Sequence, residues 1–157
     1  YYNDYGLDSF GKRLAAATQE APLFDGKKED WFAKHRLIKD YKGREVELTE
    51  SVFNKHTTGK YTDVRIPLLD CIPDVLAHPD EIWINDYVKP KDFRNINFIK
   101  FYARKAINVV CEIKNGTVYQ VATWFEIEQN PRIKEVSKKS RRIDPRWRYR
   151  RGLLVKK

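Results

Sequence analysis

The sequence predicts an α+β fold, with N-terminal helices packed on one face of a mostly antiparallel sheet of four to five strands. Three observations carry that expectation. Apolar residues recur at helical spacing through the first half of the chain, and short apolar or alternating runs replace them from EIWIN (81–85) onward. Asn115-Gly116 then stands between two strand-like runs, which is a strong short-range hairpin signal. Helices first and strands afterwards is the pattern of the α+β class.

Taken in order, LDSFGKRLAAAT reads as a first helix, broken at Ala21-Pro22. In EDWFAKHRLIKDY, Trp31, Phe32, His35, Ile38 and Tyr41 recur three and four residues apart, predicting a second helix that stops at Lys42-Gly43. REVELT alternates Val46 and Leu48 as a short strand. Thr49 is placed to cap a helix ESVFNKH, and Glu50 suits its positive end. TTGKYTDVRI (57–66) is polar and turn-prone. Leu68, Leu69, Ile72, Val75 and Leu76 then mark the apolar face of a helix that Pro73 leaves either kinked or starting late.

In the second half, NFIKFYAR places Phe98, Lys100, Tyr102 and Arg104 on one face and Ile99, Phe101 and Ala103 on the other. With helices expected on one side only, the cationic face is either an ordinary polar outer face or a concave one that stabilises a phosphate. INVVCEI and TVYQVATWFEI flank Asn115-Gly116, the second with Tyr119, Val121, Thr123, Phe125 and Ile127 on one face. GLLVKK reads as a last strand.

A composition of 41% hydrophobic and 13% aromatic residues argues for one compact core. No apolar run nears the roughly 20 residues of a membrane span, and YYNDYGLDSFGKR lacks the order of a signal peptide; the chain reads as soluble. Lacking Met, it reads as a fragment of something longer or a processed domain. From residue 131 onward, 12 Lys and Arg face only Glu135 and Asp144, a net of +10; set against +9 for the whole chain, this leaves residues 1–130 at −1. So concentrated a field usually meets phosphate, an acidic protein or an anionic membrane, unless it is only a solvated tail. Trp147 and Tyr149 among its arginines either stack on splayed bases or anchor the segment to the core. Cys71 and Cys111 have no metal-ligand spacing and sit among apolar neighbours, as buried thiols do; a disulfide between them is left open.

Motifs narrow the chemistry. HExxH, a Cys/His cluster and an EF-hand loop are missing, and the seven glycines form no phosphate-binding loop. Acid–base chemistry without a metal or cofactor remains, with histidine its commonest instrument at neutral pH. His35 and His78 read as packing or capping residues. His56 ends a helix, on the face of Val52 and Phe53, and is followed by Thr57, Thr58, Gly59, Lys60 and Arg65; the helix C-terminus is expected to raise its pKa. Those hydroxyls and cations suit a phosphoryl substrate.

KHTT with Arg65, HPDEIW, NFIKFYARKAINVVCEIKNG, VATWF and RRGLLVKK, as an ordered set, resemble the nuclease domains grouped as barnase/EndoU/colicin/RelE-like. The closest likeness is to the branch in phage head-morphogenesis proteins and in the C-terminal toxin regions of contact-dependent inhibition and other polymorphic toxins. The resemblance covers 46–157 as a nuclease domain and leaves 1–45 as a helical entry segment. It implies a ribonuclease that needs no metal and no cofactor and typically cuts tRNA, by 2′-OH attack that leaves a 2′,3′-cyclic phosphate. It also implies a cognate immunity protein, here expected to be acidic, and a bacterial surface-presented or secreted toxin acting in the target-cell cytoplasm. No membrane insertion by this domain is expected, and it should be monomeric apart from the immunity complex.

Residue by residue, the resemblance makes His56 the acid or base, Arg65, Lys100 and Arg151 the phosphate stabilisers, and Tyr102 and Thr123 positioning or relay groups. Residues 128–149 are unusually long and basic for the family, so Arg150 is an alternative to Arg151. Lys60, Arg104, Arg141, Arg142, Arg146, Trp147, Arg148, Tyr149 and Arg150 are the expected RNA contacts. Two other classes stand beside this one: a non-catalytic RNA- or DNA-binding module, and a phage head-assembly domain.

Overall fold

A computed structural model describes residues 2–85, 93–114, 118–128, 150 and 153–156. The helices among them are α1 (Tyr2–Ala16), α2 (Lys28–Lys34), α3 (Glu50–Thr57), α4 (Thr62–Arg65) and α5 (Cys71–Ala77), with 3₁₀ turns at Gly59–Tyr61 and Ile66–Leu68 on either side of α4. The strands are β1 (Leu37–Lys39), β2 (Glu45–Glu47), β3 (Glu81–Asn85), β4 (Phe93–Tyr102), β5 (Lys105–Lys114), β6 (Val118–Glu126) and β7 (Leu153–Lys156). They form one seven-stranded sheet in the order β1-β2-β6-β5-β4-β3-β7. Every neighbouring pair is antiparallel except β2 and β6. The α+β class holds, and the four to five strands expected become seven.

Part of that difference arises where a helix was expected to reach Tyr41. Helix α2 ends at Lys34, and Leu37–Lys39 is instead a strand with Ile38 buried between exposed neighbours. Over five residues, helical and strand spacings overlap, and the turn that follows decides between them. Gly43 takes the left-handed backbone at φ 78°, turning the chain so that Ile38 faces Val46. Asp40 fixes the turn: Oδ1 accepts the backbone N–H of Lys42 and of Arg44, both at 2.9 Å, and Oδ2 accepts Arg44 Nε at 2.8 Å. Oδ2 also accepts the Tyr119 hydroxyl at 3.0 Å, tying the hairpin to β6. The boundary expected at residue 45 falls inside this β1–β2 hairpin.

Burial alone would raise the Asp40 pKa, but the hydrogen bonds from Arg44, Lys42 and Tyr119 outweigh it and leave the carboxyl below its ordinary 3.8. A carboxylate depressed on folding adds stability that is present above the unfolded pKa and lost as pH falls through the folded one. Asp40→Asn is therefore expected to lower stability at pH 7 and to flatten its decline below about pH 4, as read from urea melts at a series of pH values. An acid limb as steep as wild type would remove Asp40 from that role.

Helices lie on both faces of the sheet, not one. On the first face, Trp31, Phe32, Phe53, Leu69, Ile72, Val75 and Leu76 pack against Ile82, Phe98, Tyr102, Ile107, Val109, Val121 and Trp124. On the second, Phe10 of α1 meets Trp83, Ile99, Phe101, Ala106 and Ile127, with the Phe10 and Phe101 rings edge-on at 5.3 Å. Both faces of β4 are buried, because Phe98 and Tyr102 point one way and Ile99 and Phe101 the other. Cys71 and Cys111 are free, buried thiols, each pushed up in pKa by burial, Cys71 to about 12.

The second face also holds charge. Glu81 Oε1 accepts Arg150 Nε at 2.7 Å and the Trp83 indole N–H at 2.9 Å; Oε2 accepts Arg150 Nη2 at 2.8 Å and Arg13 Nε at 2.9 Å. Arg150 Nη2 reaches Ser9 of α1 at 2.7 Å. Beside this cluster β7 joins β3 antiparallel, as the expected final strand. The Asn115-Gly116 turn itself lies outside the described residues, and the strands on either side pair as a hairpin requires, Lys114 opposite Val118.

Candidate active site

Helix α3 begins at a side-chain cap: Thr49 Oγ1 accepts the Val52 N–H at 3.2 Å, satisfying a donor that the first turn cannot use internally. The face carrying Phe53 goes inward, which leaves His56 half-buried in the last turn. Nδ1 of His56 lies 2.8 Å from the Val52 carbonyl. A carbonyl only accepts, so Nδ1 carries the proton and Nε2 of the neutral ring carries the lone pair. The α3 C-terminus is closed by Lys28, whose Nζ donates to the Thr57 carbonyl at 2.9 Å.

The chain after α3 was expected to be a polar turn; it is a run of short helical turns that carries Arg65 back to the sheet. Gly59 at φ 82° opens the run, and Lys60 is exposed on its first turn. At the end of α4, Arg65 Nη1 donates to Thr123 Oγ1 at 2.8 Å. The neighbouring Trp124 donates its indole N–H to the Arg65 carbonyl at 3.0 Å. The same indole ring meets the His56 imidazole at 5.4 Å between centroids. His56, Arg65 and Thr123, separated by up to 67 positions in the sequence, are thus joined at one place through Trp124.

The electrostatics of His56 differ from the expectation. Its pKa lies below the ordinary 6.5: burial lowers it most, the Val52 hydrogen bond opposes that, and the charges of Arg65 and Lys55 lower it further. The helix end was expected to raise it, but water exclusion and two nearby cations prevail. At neutral pH the imidazole is therefore a free base.

Lys100 and Tyr102 sit elsewhere in the bonding pattern. Their face of β4 is the one covered by α5, not an open concave surface. Lys100 Nζ donates to the His78 carbonyl at the end of α5 at 3.0 Å, and the Tyr102 hydroxyl donates to Asp74 Oδ2 at 2.6 Å. Burial, then Asp74, pushes the Tyr102 phenol well up. Their hydrogen bonds go to α5 rather than to His56 or Arg65. Arg104 is exposed at the β4–β5 turn, at φ 67°, and pairs with Glu20 at 2.6 Å. Arg150 is buried on Glu81. Arg151, Arg141, Arg142, Arg146, Trp147, Arg148 and Tyr149 lie outside the described residues.

The other histidines behave as expected. The His35 ring stacks on Trp31 at 4.3 Å with Nδ1 on the Trp31 carbonyl, and His78 is the exposed C-cap of α5. Among the described residues, no group of three or more His, Cys, Asp or Glu is gathered as a metal site, and no helix is long and apolar enough to cross a membrane. Trp124 is the site residue that sequence reasoning missed. Its signal was Trp124-Phe125, two bulky aromatics in succession, as a strand buried on both faces carries them.

Residues 19–155 match the profile of a family described as phage-Barnase-EndoU-ColicinE5/D-RelE like nuclease2. Neither a curated protein nor a solved structure matches the chain significantly.

Proposed function

The chain belongs to this phage-associated barnase/EndoU/colicin/RelE-like nuclease family, and from that premise we propose that it is a ribonuclease toxin cutting tRNA without a metal ion. The observation that carries the reading is the pairing of a free-base His56, its Nε2 lone pair available, with the Arg65 cation beside it. RNA brings its own nucleophile. His56 Nε2 takes the proton of a 2′-hydroxyl, whose oxygen attacks the adjacent phosphorus. Arg65, oriented by Thr123, stabilises the charge gathering on the phosphate oxygens. The bond to the 5′-oxygen breaks, and that oxygen takes up a proton. The products are a 2′,3′-cyclic phosphate and a 5′-hydroxyl.

The net +10 of residues 131–157 supports a polyanionic substrate, and an acidic immunity protein as the partner that covers it. We place the domain in a bacterial toxin delivered to a competitor, acting in its cytoplasm. The same basic stretch favours a second reading, a module that binds RNA without cutting it, and turnover separates the two. End-labelled bulk tRNA incubated with the protein in EDTA is expected to yield discrete fragments ending in cyclic phosphate. Protonating Nε2 removes the base, so cleavage should be full above the His56 pKa and fall as pH drops through it, with a midpoint below 6.5. Salt-sensitive binding with intact tRNA at every pH would establish the binding module instead.

A further inference from the structure

Successive side chains of a strand point to opposite faces, yet Thr123 and Trp124 both engage Arg65, one at its guanidinium and one at its carbonyl. The two contacts lie at opposite ends of the residue, its side chain and its backbone, and a bulge two residues before Trp124 sets the face that the indole takes. Val110 of β5 faces Thr123, while the next residue, Cys111, faces Val121, so Ala122 is an extra residue in β6. Before the bulge Tyr119 and Val121 pack into the inner core; after it Trp124 does, and Phe125 and Ile127 turn to the opposite face. The single face expected for Tyr119, Val121, Thr123, Phe125 and Ile127 is split at this point.

We propose that Trp124, presented by the bulge at Ala122, is the positioning residue of the site: one buried indole holds the α4 backbone at Arg65 and the α3 imidazole at His56 in mutual register. For its effect on turnover, the proposal rests on the ribonuclease reading above. The need for such a residue follows from helix length. Helix α4 has only four residues, and a helix that short is marginal unless other groups pack and bond against it. Trp124 gives the Arg65 carbonyl its donor and covers one side of the His56 ring. The charges acting on that ring are Arg65 from α4 and Lys55 from its own helix. Misplacement of a reacting group by about 1 Å can cost roughly 100-fold in rate.

Two variants of the full chain separate positioning from stability. Trp124→Phe keeps a ring against His56 and loses the N–H; it should lower kcat by about ten-fold, the scale of a lost positioning bond, with the acid limb of the pH–rate profile in place. Trp124→Leu loses both; it should lower kcat and also move the His56 titration, followed by NMR of the ring protons, upward toward its ordinary value as water reaches the ring. A loss of folded protein alone scales the rate equally at every pH and leaves that titration where it was. Wild-type kcat in Trp124→Phe, or an unmoved His56 titration in Trp124→Leu, overturns the proposal. If the wild-type chain cuts no RNA, the ribonuclease reading falls, and the NMR titration alone decides whether Trp124 governs His56.

Discussion

His56→Ala is expected to lower tRNA cleavage by about 100- to 10,000-fold, the range that a positioned general base supplies, while leaving the melting temperature within a few degrees of wild type. The two effects separate because of where the imidazole is bound. Among the described residues its hydrogen bond goes to Val52, within its own helix, and α3 keeps the Thr49 cap, the buried Phe53 and the Lys28 contact at its far end. On the proposed ribonuclease reading the loss should fall on kcat rather than KM, since there the proton acceptor acts as the 2′-oxygen attacks and Arg65 remains to meet the phosphate. Gel assays of labelled tRNA, beside circular dichroism melts, measure both. Cleavage retained within a few-fold of wild type would take His56 out of the chemistry.

Arg150→Ala should damage the fold severely, costing about 3–5 kcal/mol, the usual cost of leaving one member of a buried ion pair without its partner. Both side chains of the Arg150–Glu81 pair are almost wholly excluded from water. The arginine contributes two parallel bonds to the carboxylate and a third to Ser9. Arg13, a second cation on Glu81 among the described residues, is about one-third exposed and can offset only part of the loss. Urea unfolding gives the value through the midpoint, with the slope unchanged if the native state stays compact. Replacing both members, Arg150→Met with Glu81→Leu, should recover much of the stability, because the isolated charge rather than the missing attraction carries most of the cost. A double variant as unstable as the single one would contradict that account.

Arg150 also shows how far sequence reading reached. An arginine in a run of arginines looks like a surface contact for RNA, because its partner Glu81 lies 69 positions away and nothing local distinguishes it from its neighbours. The same applied to Lys100 and Tyr102, whose polar ends suggested an open face and whose partners, His78 and Asp74, come from a helix folded over them. Local chemistry was readable: Thr49 as a cap, the β5–β6 hairpin, the final strand, the buried cysteines and the family itself. His56 and Arg65 stood out beside a helix end and its hydroxyls, and Thr123 was named as a site residue only through the family resemblance. Their meeting point was not legible, because it depends on one inserted residue in β6, and a bulge leaves no mark on composition or on spacing until the partner strand is known.

The Arg150–Ser9 hydrogen bond spans 141 positions, and it has a consequence in time. Contacts between distant parts of a chain form late, because loop closure must precede any gain from them. On a ribosome, Glu81 and helix α1 emerge long before the arginine that will neutralise the carboxylate, so the second face of the sheet stays incomplete until residues 150–156 have been made. His56 and Arg65 are by then already synthesised. A chain cut short before β7 would carry His56 and Arg65 on a sheet that lacks both the β3–β7 pairing and the Arg150–Glu81 ion pair.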